Sequence, residues 1–196
     1  MGDRSMSKRR LGPCITFFPQ PTTLVASRAA DGRVNVMTAS WVGLVSKTPP
    51  TLGVSLHHGR LTYAQITASG SFTVNLVPVP LAVAADYCGL VSGRDQDKAA
   101  VAGLTLVPAD LVAAPLVAEA PLNVECRLAG EVELGDYRLL LGEIVQIHAL
   151  EKAFRADGTL DAAILNPLVY LGGIREYWSL GERKGVAYKD GKALLR

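Results

Sequence analysis

The sequence predicts one mainly β domain that forms a barrel and carries only a few short helices. Candidate strands follow one another at short intervals, separated by turn signals such as Asp31-Gly32 and Gly135-Asp136. Only two or three short segments have helical features, and no internal repeat, linker or shift in composition divides the chain. Frequent short strands with so few helices favour a barrel over a sheet that helices cover on both faces.

The first half of the chain provides four candidate strands and one helix. Turn residues bound the strands: Asp31-Gly32 lies between the first two, and Pro49-Pro50 precedes the third. The segment before Gly70 changes to a partly helical period, and glycine commonly follows the last turn of a helix. The predicted strands cover residues 17–28, 33–44, 51–56 and 71–77, and the predicted helix covers residues 61–69.

The second half begins with a short helix and ends with long strands. The helix has proline near its first turn and Gly89 after its end, and a very polar loop follows it. Two long antiparallel strands meet at Gly135-Asp136, and Asp157-Gly158 marks another turn. The helix covers residues 80–88, the loop residues 92–98, the long strands residues 122–133 and 137–150, and a last apolar segment residues 167–178.

Composition argues against nucleic acid and membranes as partners. Hydrophobic residues make up 49% of the 196 residues and charged residues 19%, which suits one globular domain. The net charge of +2 is too small to indicate nucleic-acid binding. No apolar run approaches the ~20 residues that cross a bilayer.

The chain start is predicted to be a flexible segment, residues 1–12, before a single domain of residues 13–196. It contains the basic run Lys8-Arg9-Arg10 but lacks the apolar stretch of a signal peptide. The residues before Met6 are interpreted as part of an expression scar. The three cysteines are an odd number without C-x-x-C spacing, which argues against structural disulfides and zinc and indicates a reducing cytoplasm.

Signatures of several enzyme classes are missing from the sequence. It has no G-x-S-x-G elbow, no P-loop and no G-x-G-x-x-G after a strand. The adjacent His57 and His58 would point to opposite faces of an extended strand. Because two ligands that diverge cannot easily hold one ion, no metal site is predicted.

Two polar clusters form the candidate binding site. In Asn35-Val36-Met37-Thr38-Ala39-Ser40-Trp41, small side chains stand where a strand ends, which lets a flat ligand approach the backbone. In His57-His58-Gly59-Arg60-Leu61-Thr62, an arginine, a hydroxyl and a helix N-terminus can hold a phosphate. The pair suggests a phosphorylated planar cofactor. The alternatives are a tight barrel corner for the first cluster and surface charge with a helix-starting hydroxyl for the second.

In their order and spacing, these and further segments resemble the flavin reductase-like, FMN-binding split-barrel family, in particular its flavoredoxin-like branch. The resemblance covers roughly residues 19–185, nearly the whole chain. The matching segments are Asn35 to Trp41 with residues 46–50, Arg60-Leu61-Thr62, residues 70–76, Ser92-Gly93-Arg94-Asp95 with Lys98, Gly135-Asp136-Tyr137, Gly142-Glu143-Ile144-Val145 and Pro167-Leu168-Val169-Tyr170.

The resemblance implies a six-stranded Greek-key split barrel that works as a homodimer, with FMN near the subunit interface. The chemistry would belong to the flavin, so no side chain need act as a nucleophile. By motif position, the residues bordering the isoalloxazine ring would be Thr38, Ala39, Ser40 and Trp41, and those around the phosphate would be His57, Arg60, Leu61 and Thr62. Further contacts would be Asn75, Ser92 and Lys98, with Tyr170 as an aromatic neighbour.

Three functions follow from the resemblance. The first is an FMN-dependent oxidoreductase that transfers electrons from NADH or NADPH to flavin. In many NADH-using relatives a histidine follows the Gly-Asp pair, whereas Tyr137 stands at that position here. Tyr137 favours the second function, a flavoredoxin-like electron-transfer protein with tightly bound FMN and a protein redox partner. The third is a non-catalytic flavin-binding barrel.

Overall fold

The computed structural model describes residues 8–195, and most of its strands belong to one antiparallel sheet. In chain order the strands are β1 (Gln20–Pro21), β2 (Thr23–Arg28), β3 (Val34–Ala39), β4 (Val42–Lys47), β5 (Pro50–His57), β6 (Ser71–Leu76), β7 (Leu106–Val107), β8 (Leu116–Val117), β9 (Leu122–Leu134), β10 (Tyr137–Ala149), β11 (Leu168–Leu171) and β12 (Glu176–Ser179). The helices are α1 (Leu61–Ser69), α2 (Ala82–Leu90), α3 (Lys98–Val101) and α4 (Ala162–Leu165), with 3-10 turns at Val79–Leu81, Glu151–Ala153 and Asp190–Leu194. The expected mainly β fold with a few short helices is confirmed.

Seven strands form the barrel sheet, in the order β3-β2-β6-β9-β10-β5-β4. β3 and β4 lie at opposite edges of this sheet, although only Ser40 and Trp41 separate them in the sequence. The sheet therefore curls until its two edges meet, which gives a split barrel. The connection from β5 through α1 to β6 passes two intervening strands, as in a Greek key.

The opening of the barrel lies at Ser40, where the chain changes its pairing partner. Ala39 still pairs with Thr23 of β2, whereas the Trp41 carbonyl oxygen accepts a hydrogen bond from the Ser55 N–H of β5 at 2.9 Å. The prediction of one strand over residues 33–44 is therefore wrong. This segment forms parts of two strands, β3 and β4, on opposite edges of the sheet. The sheet therefore has seven strands, whereas the resemblance implied six.

The predicted turns have the geometry that their residues suggest. Gly32 and Gly135 adopt left-handed backbone conformations, with φ of 88° and 60°, in the β2–β3 and β9–β10 hairpins. The β9–β10 pair extends from Leu134 opposite Tyr137 to Leu122 opposite Ala149, as the two long predicted strands required. Pro49 lies in the tight turn between β4 and β5.

The helix predictions are confirmed for α1 and corrected for α2 and α3. α1 ends at Gly70, whose φ is 71° and whose N–H donates to the Ile66 carbonyl oxygen. α2 continues through Gly89 to Leu90, so Gly89 lies inside the helix and not after its end; there it faces β3, and a Cβ at this position would be in ordinary van der Waals contact with the Cβ of Thr38, 3.5 Å away. Lys98 belongs to α3 rather than to the polar loop, since the Asp97 side chain caps that helix.

The apolar core lies on both sides of β2. Val25 faces the barrel interior, whereas Leu24 and Ala26 pack outside it in the cluster that contains Ala85 of α2. Ile66 of α1 also belongs to the interior cluster. Burial on both faces explains why β2 lacks the alternation of a half-buried strand. α1 and α2 are thereby fixed against the strands that carry both polar clusters.

A second, three-stranded sheet has the order β1-β11-β12 and places Gln20 opposite Tyr170.

Residues 8–12 are exposed and lie outside helices and strands, and residues 1–7 lie outside the described part, as does the suggested scar. The division at residue 12 stays a prediction. Within residues 8–195, no helix is long and apolar enough to span a bilayer.

Candidate functional site

The candidate site is a groove made of two adjacent cavities, with volumes of about 240 and 90 Å³. Met37 and Arg60 line both, so the two cavities lie side by side. Eleven of the twelve predicted site residues line this groove. Those of the larger cavity are Thr38, Ala39, Ser40, Trp41, His57 and Tyr170, those of the smaller are Leu61, Thr62, Ser92 and Lys98, and Arg60 belongs to both.

Asn75 is the predicted site residue that the structure does not bring to the groove. Its side chain is fully buried, and its amide donates to the Leu24 carbonyl oxygen (2.9 Å) and Thr73 Oγ1 (3.1 Å). Its Oδ1 accepts hydrogen bonds from the Val117 N–H and from Asn123 Nδ2. Protein groups thus satisfy both ends of the amide, so Asn75 has a structural role.

One wall of the larger cavity is the end of β3 and the turn that follows it. Thr38 is half-buried, and its hydroxyl donates to the Ala85 carbonyl oxygen of α2. The hydroxyl proton is therefore engaged, and only the Thr38 lone pairs remain for a ligand. Ala39 and Ser40 follow with small side chains, and the change of strand partner between Ala39 and Trp41 lies in this same wall.

Aromatic rings border the same cavity. The Trp41 and Tyr137 ring centroids lie 5.1 Å apart, and the Tyr137 and His57 rings meet edge to face at 5.6 Å. His57 and His58 do not diverge as expected: their rings stack at 4.8 Å, because β5 ends at His57 and the chain turns there. His57 Nδ1 accepts a hydrogen bond from the Gly59 N–H, which fixes the ring at the cavity edge.

The opposite wall of the larger cavity comes from the small sheet. Gln20 of β1, Tyr170 of β11 and Gly172 line it. A Cβ on Gly172 would lie 3.0 Å from Gln20 Oε1 and 3.2 Å from Tyr170 Cε1, so glycine allows both side chains to crowd this position. The larger cavity is therefore a cleft between the barrel and the small sheet.

The smaller cavity is rich in cations and hydroxyls. Arg60, Arg94 and Lys98 line it together with Thr62 and Ser92, and no carboxylate is among its lining residues. Lys98 is 4% exposed, and its Nζ donates to the Cys88 carbonyl oxygen at 2.8 Å. Burial lowers the pKa of the Lys98 ammonium, and the Arg60 charge adds to this effect. A bound anion would favour the charged ammonium and so raise this pKa, against the effects of burial and of Arg60.

Asn35 contributes an unpaired polar atom to the smaller cavity. It is 4% exposed, its Nδ2 donates to Thr62 Oγ1 at 2.7 Å, and its Oδ1 has no hydrogen-bond partner. Turned over, the amide would accept the Thr62 hydroxyl proton and present its NH₂ group to the cavity. That orientation would give an anion one more donor.

The loop after α2 closes over Asn35. A side chain on Gly93 would overlap the Asn35 carboxamide and approach Leu61 Cδ2 to 3.2 Å. The Arg94 guanidinium donates to the Gly59 carbonyl oxygen at 3.1 Å and connects this loop to the turn before α1. Gly93 therefore permits a close approach that brings Ser92 and Arg94 to the smaller cavity.

A separate polar cluster anchors the loop between β7 and β8. Glu125 is fully buried and accepts backbone hydrogen bonds from Asp110, Leu111 and Val112. His148 Nε2 lies 2.7 Å from Glu125 Oε1. Ligand atoms of Asp110, Glu125 and His148 lie within 4.8 Å of one another. Because both Glu125 oxygens already accept or share hydrogen bonds, the cluster serves as an anchor for this loop. Its three residues are far apart in the sequence and form no motif, so the sequence did not predict it.

Sequence reasoning also missed the wall formed by Gln20 and Gly172. Neither residue lies in a recognisable motif, and only the pairing of β1 with β11 brings them to the groove. Tyr137 was identified as a departure from the family pattern without being placed in the site, and the structure puts it in the larger cavity. The pairing of Tyr137 with His57 in neighbouring strands explains that position.

Comparisons with known proteins find a flavin-related family and flavin-related structures. The Flavin reductase like domain family matches residues 15–179. Flavoredoxin of Desulfovibrio vulgaris (Miyazaki F) has a similar structure, with a TM-score of 0.91 and 35% identity over 95% of this chain and 100% of that chain. The FMN-binding protein from Thermus thermophilus with bound 1-cyclohex-2-enone gives a TM-score of 0.77 and 25% identity, over 92% of this chain and 98% of that one.

A sequence relative leads to the same grouping. An uncharacterized protein of Archaeoglobus fulgidus is 37% identical over 131 residues, which is 67% of this chain and 73% of that protein. The family match spans well over half of the chain and includes both cavities. The chain therefore belongs to the flavin reductase like domain family.

Proposed function

We propose that this protein binds FMN in the two adjacent cavities and transfers electrons through it, with NADH or NADPH as the donor. The observation that carries the proposal is the division of one groove into a cleft with aromatic walls and a smaller end with three cations and no carboxylate. A phosphorylated planar molecule is the kind of ligand that fits such a division. The similarity to flavoredoxin and to the Thermus FMN-binding protein supports FMN as that molecule.

The residues of the smaller cavity fit a phosphate. The Arg60 guanidinium, the Lys98 ammonium and the first turn of α1 would hold it, with Thr62, Ser92 and the reoriented Asn35 amide as further donors. Leu61 would contribute its backbone N–H at the helix start. The unpaired oxygen of buried Asn35 is explained if a ligand completes this site.

The larger cavity fits the flavin ring system. When bound, FMN would supply the electron chemistry, which no side chain here has to perform. Thr38, Ala39 and Ser40 would allow the ring to lie against the backbone, and Trp41 and Tyr170 would shield its faces from water. Hydrogen bonds from the Ser40 hydroxyl or nearby N–H groups would stabilise negative charge on the polar edge of the ring.

Tyr137 supports a second candidate function, electron transfer with a protein partner. Its ring stands between Trp41 and His57 at the cavity edge and narrows the space that a nicotinamide ring would need. Under this alternative FMN stays bound, and the partner docks at the open side of the cleft.

The cysteines of the described chain, Cys14, Cys88 and Cys126, are free, which supports a reducing cytoplasmic location for either function.

The absorbance spectrum of the purified protein tests the proposal. We expect a flavin band, either on purification or after addition of FMN, and we expect anaerobic NADH or NADPH to bleach it. Bound flavin that dithionite reduces but neither nucleotide reduces would select the electron-transfer function. A protein that takes up no FMN would contradict both, whereas flavin that no donor reduces would indicate a non-catalytic barrel.

We also propose that the partner of this chain is a second copy, arranged as a homodimer. Val45 of β4 and Val132 of β9 are apolar and exposed, by 52% and 44%. A Cβ on Gly53 would lie 2.9 Å from Val45 Cγ1 and 3.1 Å from Leu139 Cδ1, and Leu139 pairs with Val132, so these side chains share one face. Tyr137 lies on the same face by strand alternation, so a copy covering it would border the cleft.

Light scattering at micromolar concentration checks this assembly. We expect the mass of two chains for the wild type and a shift toward the monomer for Val45→Lys, because a charge would be buried at the contact. Val83→Lys is the matched control, since Val83 is 85% exposed on α2, away from this face. A wild-type monomer, or equal behaviour of the two variants, would contradict the assignment of this face.

A further inference from the structure

The small sheet β1-β11-β12 is joined to the barrel by backbone hydrogen bonds at one end. There the Thr22 N–H donates to the Leu168 carbonyl oxygen at 3.1 Å, and the Leu168 N–H donates to the Val77 carbonyl oxygen at 2.8 Å. Tyr170 lies two residues beyond Leu168 on β11 and lines the larger cavity. The position of this cavity wall therefore depends on what holds the sheet beyond Leu168.

Tyr177 of β12 fastens the sheet beyond that end. Its hydroxyl donates a hydrogen bond to Asp86 Oδ1 of α2 at 3.1 Å. Within residues 8–195, this is the one side-chain hydrogen bond that joins β1, β11 or β12 to α2 or to the barrel sheet. Burial and the Asp86 charge raise the pKa of the Tyr177 hydroxyl to about 12, so it keeps its proton and donates at neutral pH.

The same tyrosine contacts a residue of the cavity wall. Strand pairing sets Tyr177 directly opposite Tyr170, and the centroids of the two rings lie 5.4 Å apart. Side chains at directly paired positions project from the same face of a sheet. The Tyr177 ring also packs against the apolar cluster that contains Ala85 of α2. A displacement of Tyr177 from α2 would therefore move the Tyr170 ring with it.

α2 connects the two walls of the larger cavity. The Ala85 carbonyl oxygen accepts the hydrogen bond of the Thr38 hydroxyl, which belongs to the barrel wall. The next residue, Asp86, accepts the hydrogen bond of Tyr177, which belongs to the small sheet. Two consecutive residues of one helix thus hold opposite walls, and their spacing is fixed by the helix backbone.

We propose that Tyr177 is a positioning residue that, through its hydrogen bond to Asp86, fixes the width of the cleft for the flavin ring. This inference rests on the proposed FMN binding. Neither side chain lines the cavity, so the effect reaches the ligand through Tyr170 and the small sheet. Without the hydrogen bond the sheet is free to move beyond Leu168, and a wider cleft holds a planar ring less tightly because dispersion contacts weaken across a gap.

Flavin titration of Tyr177→Phe tests this role, because phenylalanine keeps the ring and removes only the hydroxyl. We expect the affinities for FMN and for riboflavin to fall by the same factor, roughly fivefold, since the acceptor is charged but partly screened by solvent. The visible circular dichroism of the bound flavin should also change, because the flavin ring then takes a different position relative to Tyr170. A purely structural role would leave that spectrum unchanged.

Variants of Asp86 identify the hydrogen bond as the cause. Asp86→Asn keeps an acceptor oxygen for Tyr177 and should stay within about twofold of the wild-type flavin affinity. Asp86→Ala should match Tyr177→Phe. Combining Asp86→Ala with Tyr177→Phe should add no further loss, because both substitutions remove the same interaction.

Tyr87→Phe is the matched control. Tyr87 follows Asp86 on α2, and its hydroxyl donates to Gln96 Oε1 at 2.7 Å, outside both cavities. This variant should keep the wild-type affinity for both flavins. A Tyr177→Phe protein that binds both flavins as Tyr87→Phe does, or that loses affinity for FMN alone, would overturn this inference. Failure of the wild type to bind either flavin would overturn the proposed function itself.

Discussion

Glu125→Gln is expected to lower the free energy of unfolding by about 3 kcal/mol, the largest effect we predict for a single substitution. Glu125 Oε2 accepts hydrogen bonds from the N–H groups of Leu111 (2.7 Å) and Val112 (3.1 Å). Oε1 accepts from Asp110 N–H at 3.0 Å and contacts His148 Nε2 at 2.7 Å. Glutamine would replace one of these oxygens with an NH₂ group, so that donors face donors in a fully buried site.

The same contacts predict how stability depends on pH. Burial alone would raise the pKa of the Glu125 carboxyl, but the hydrogen bonds from His148, Asp110 and Leu111 outweigh burial and hold this pKa below its usual value. A lowered folded-state pKa stabilises the protein above the unfolded-state value of about 4.3. That contribution is lost as the pH falls through the folded-state pKa. The difference between wild type and Glu125→Gln should therefore narrow in acid.

Urea unfolding between about pH 7 and pH 3 measures both effects. Glu143→Gln is the control, because Glu143 is exposed on the neighbouring strand β10 and the substitution changes the net charge equally. A destabilisation at neutral pH no larger than that of Glu143→Gln would show that the anchor contributes little. A gap between wild type and Glu125→Gln that stays constant down to pH 3 would contradict the pKa argument.

Turns and helix ends were predicted well because the residues that determine them are neighbours in the sequence. Gly32, Gly70 and Gly135 each adopt the left-handed conformation that glycine tolerates, and each marks the turn or helix end that was expected. The break at Ser40 was missed because strand propensity continues across it. Only the curvature of the whole sheet decides that Ala39 pairs with β2 while Trp41 follows β5.

In the candidate site too, residues within one continuous segment were predicted correctly, and residues that folding brings together from distant segments were not. The motif positions from Thr38 to Trp41 and from Arg60 to Thr62 line the groove, since a continuous segment carries each cluster. Asn75 was misassigned because its buried position on β6 gives no sign of its partners, which come from β2, β8 and β9. Gln20 was missed because its place depends on pairing between residues 150 positions apart, β1 with β11.

Arg60→Ala is expected to weaken FMN binding by about 1.5–3 kcal/mol, the usual contribution of a charged hydrogen bond. Arg60 stands at the N-terminus of α1 and lines both cavities, so its guanidinium can reach a phosphate that also meets the free N–H groups of the helix. Among residues 8–195 it forms no ion pair. Its charge is therefore available to a ligand. Arg60→Lys should lose part of the affinity, because an ammonium cannot make the paired contacts of a guanidinium.

Titration with FMN and with riboflavin, which has no phosphate, isolates this contact from other effects of the substitution. Arg60→Ala should reduce the affinity for FMN and leave that for riboflavin nearly unchanged, since only the phosphate interaction is removed. Arg33→Ala removes the same charge at an exposed site outside both cavities and should alter neither affinity. An equal loss for both ligands would place Arg60 beside the ring rather than the phosphate. Unchanged FMN affinity would remove it from the site, and the phosphate would then depend on Lys98 and the α1 N-terminus.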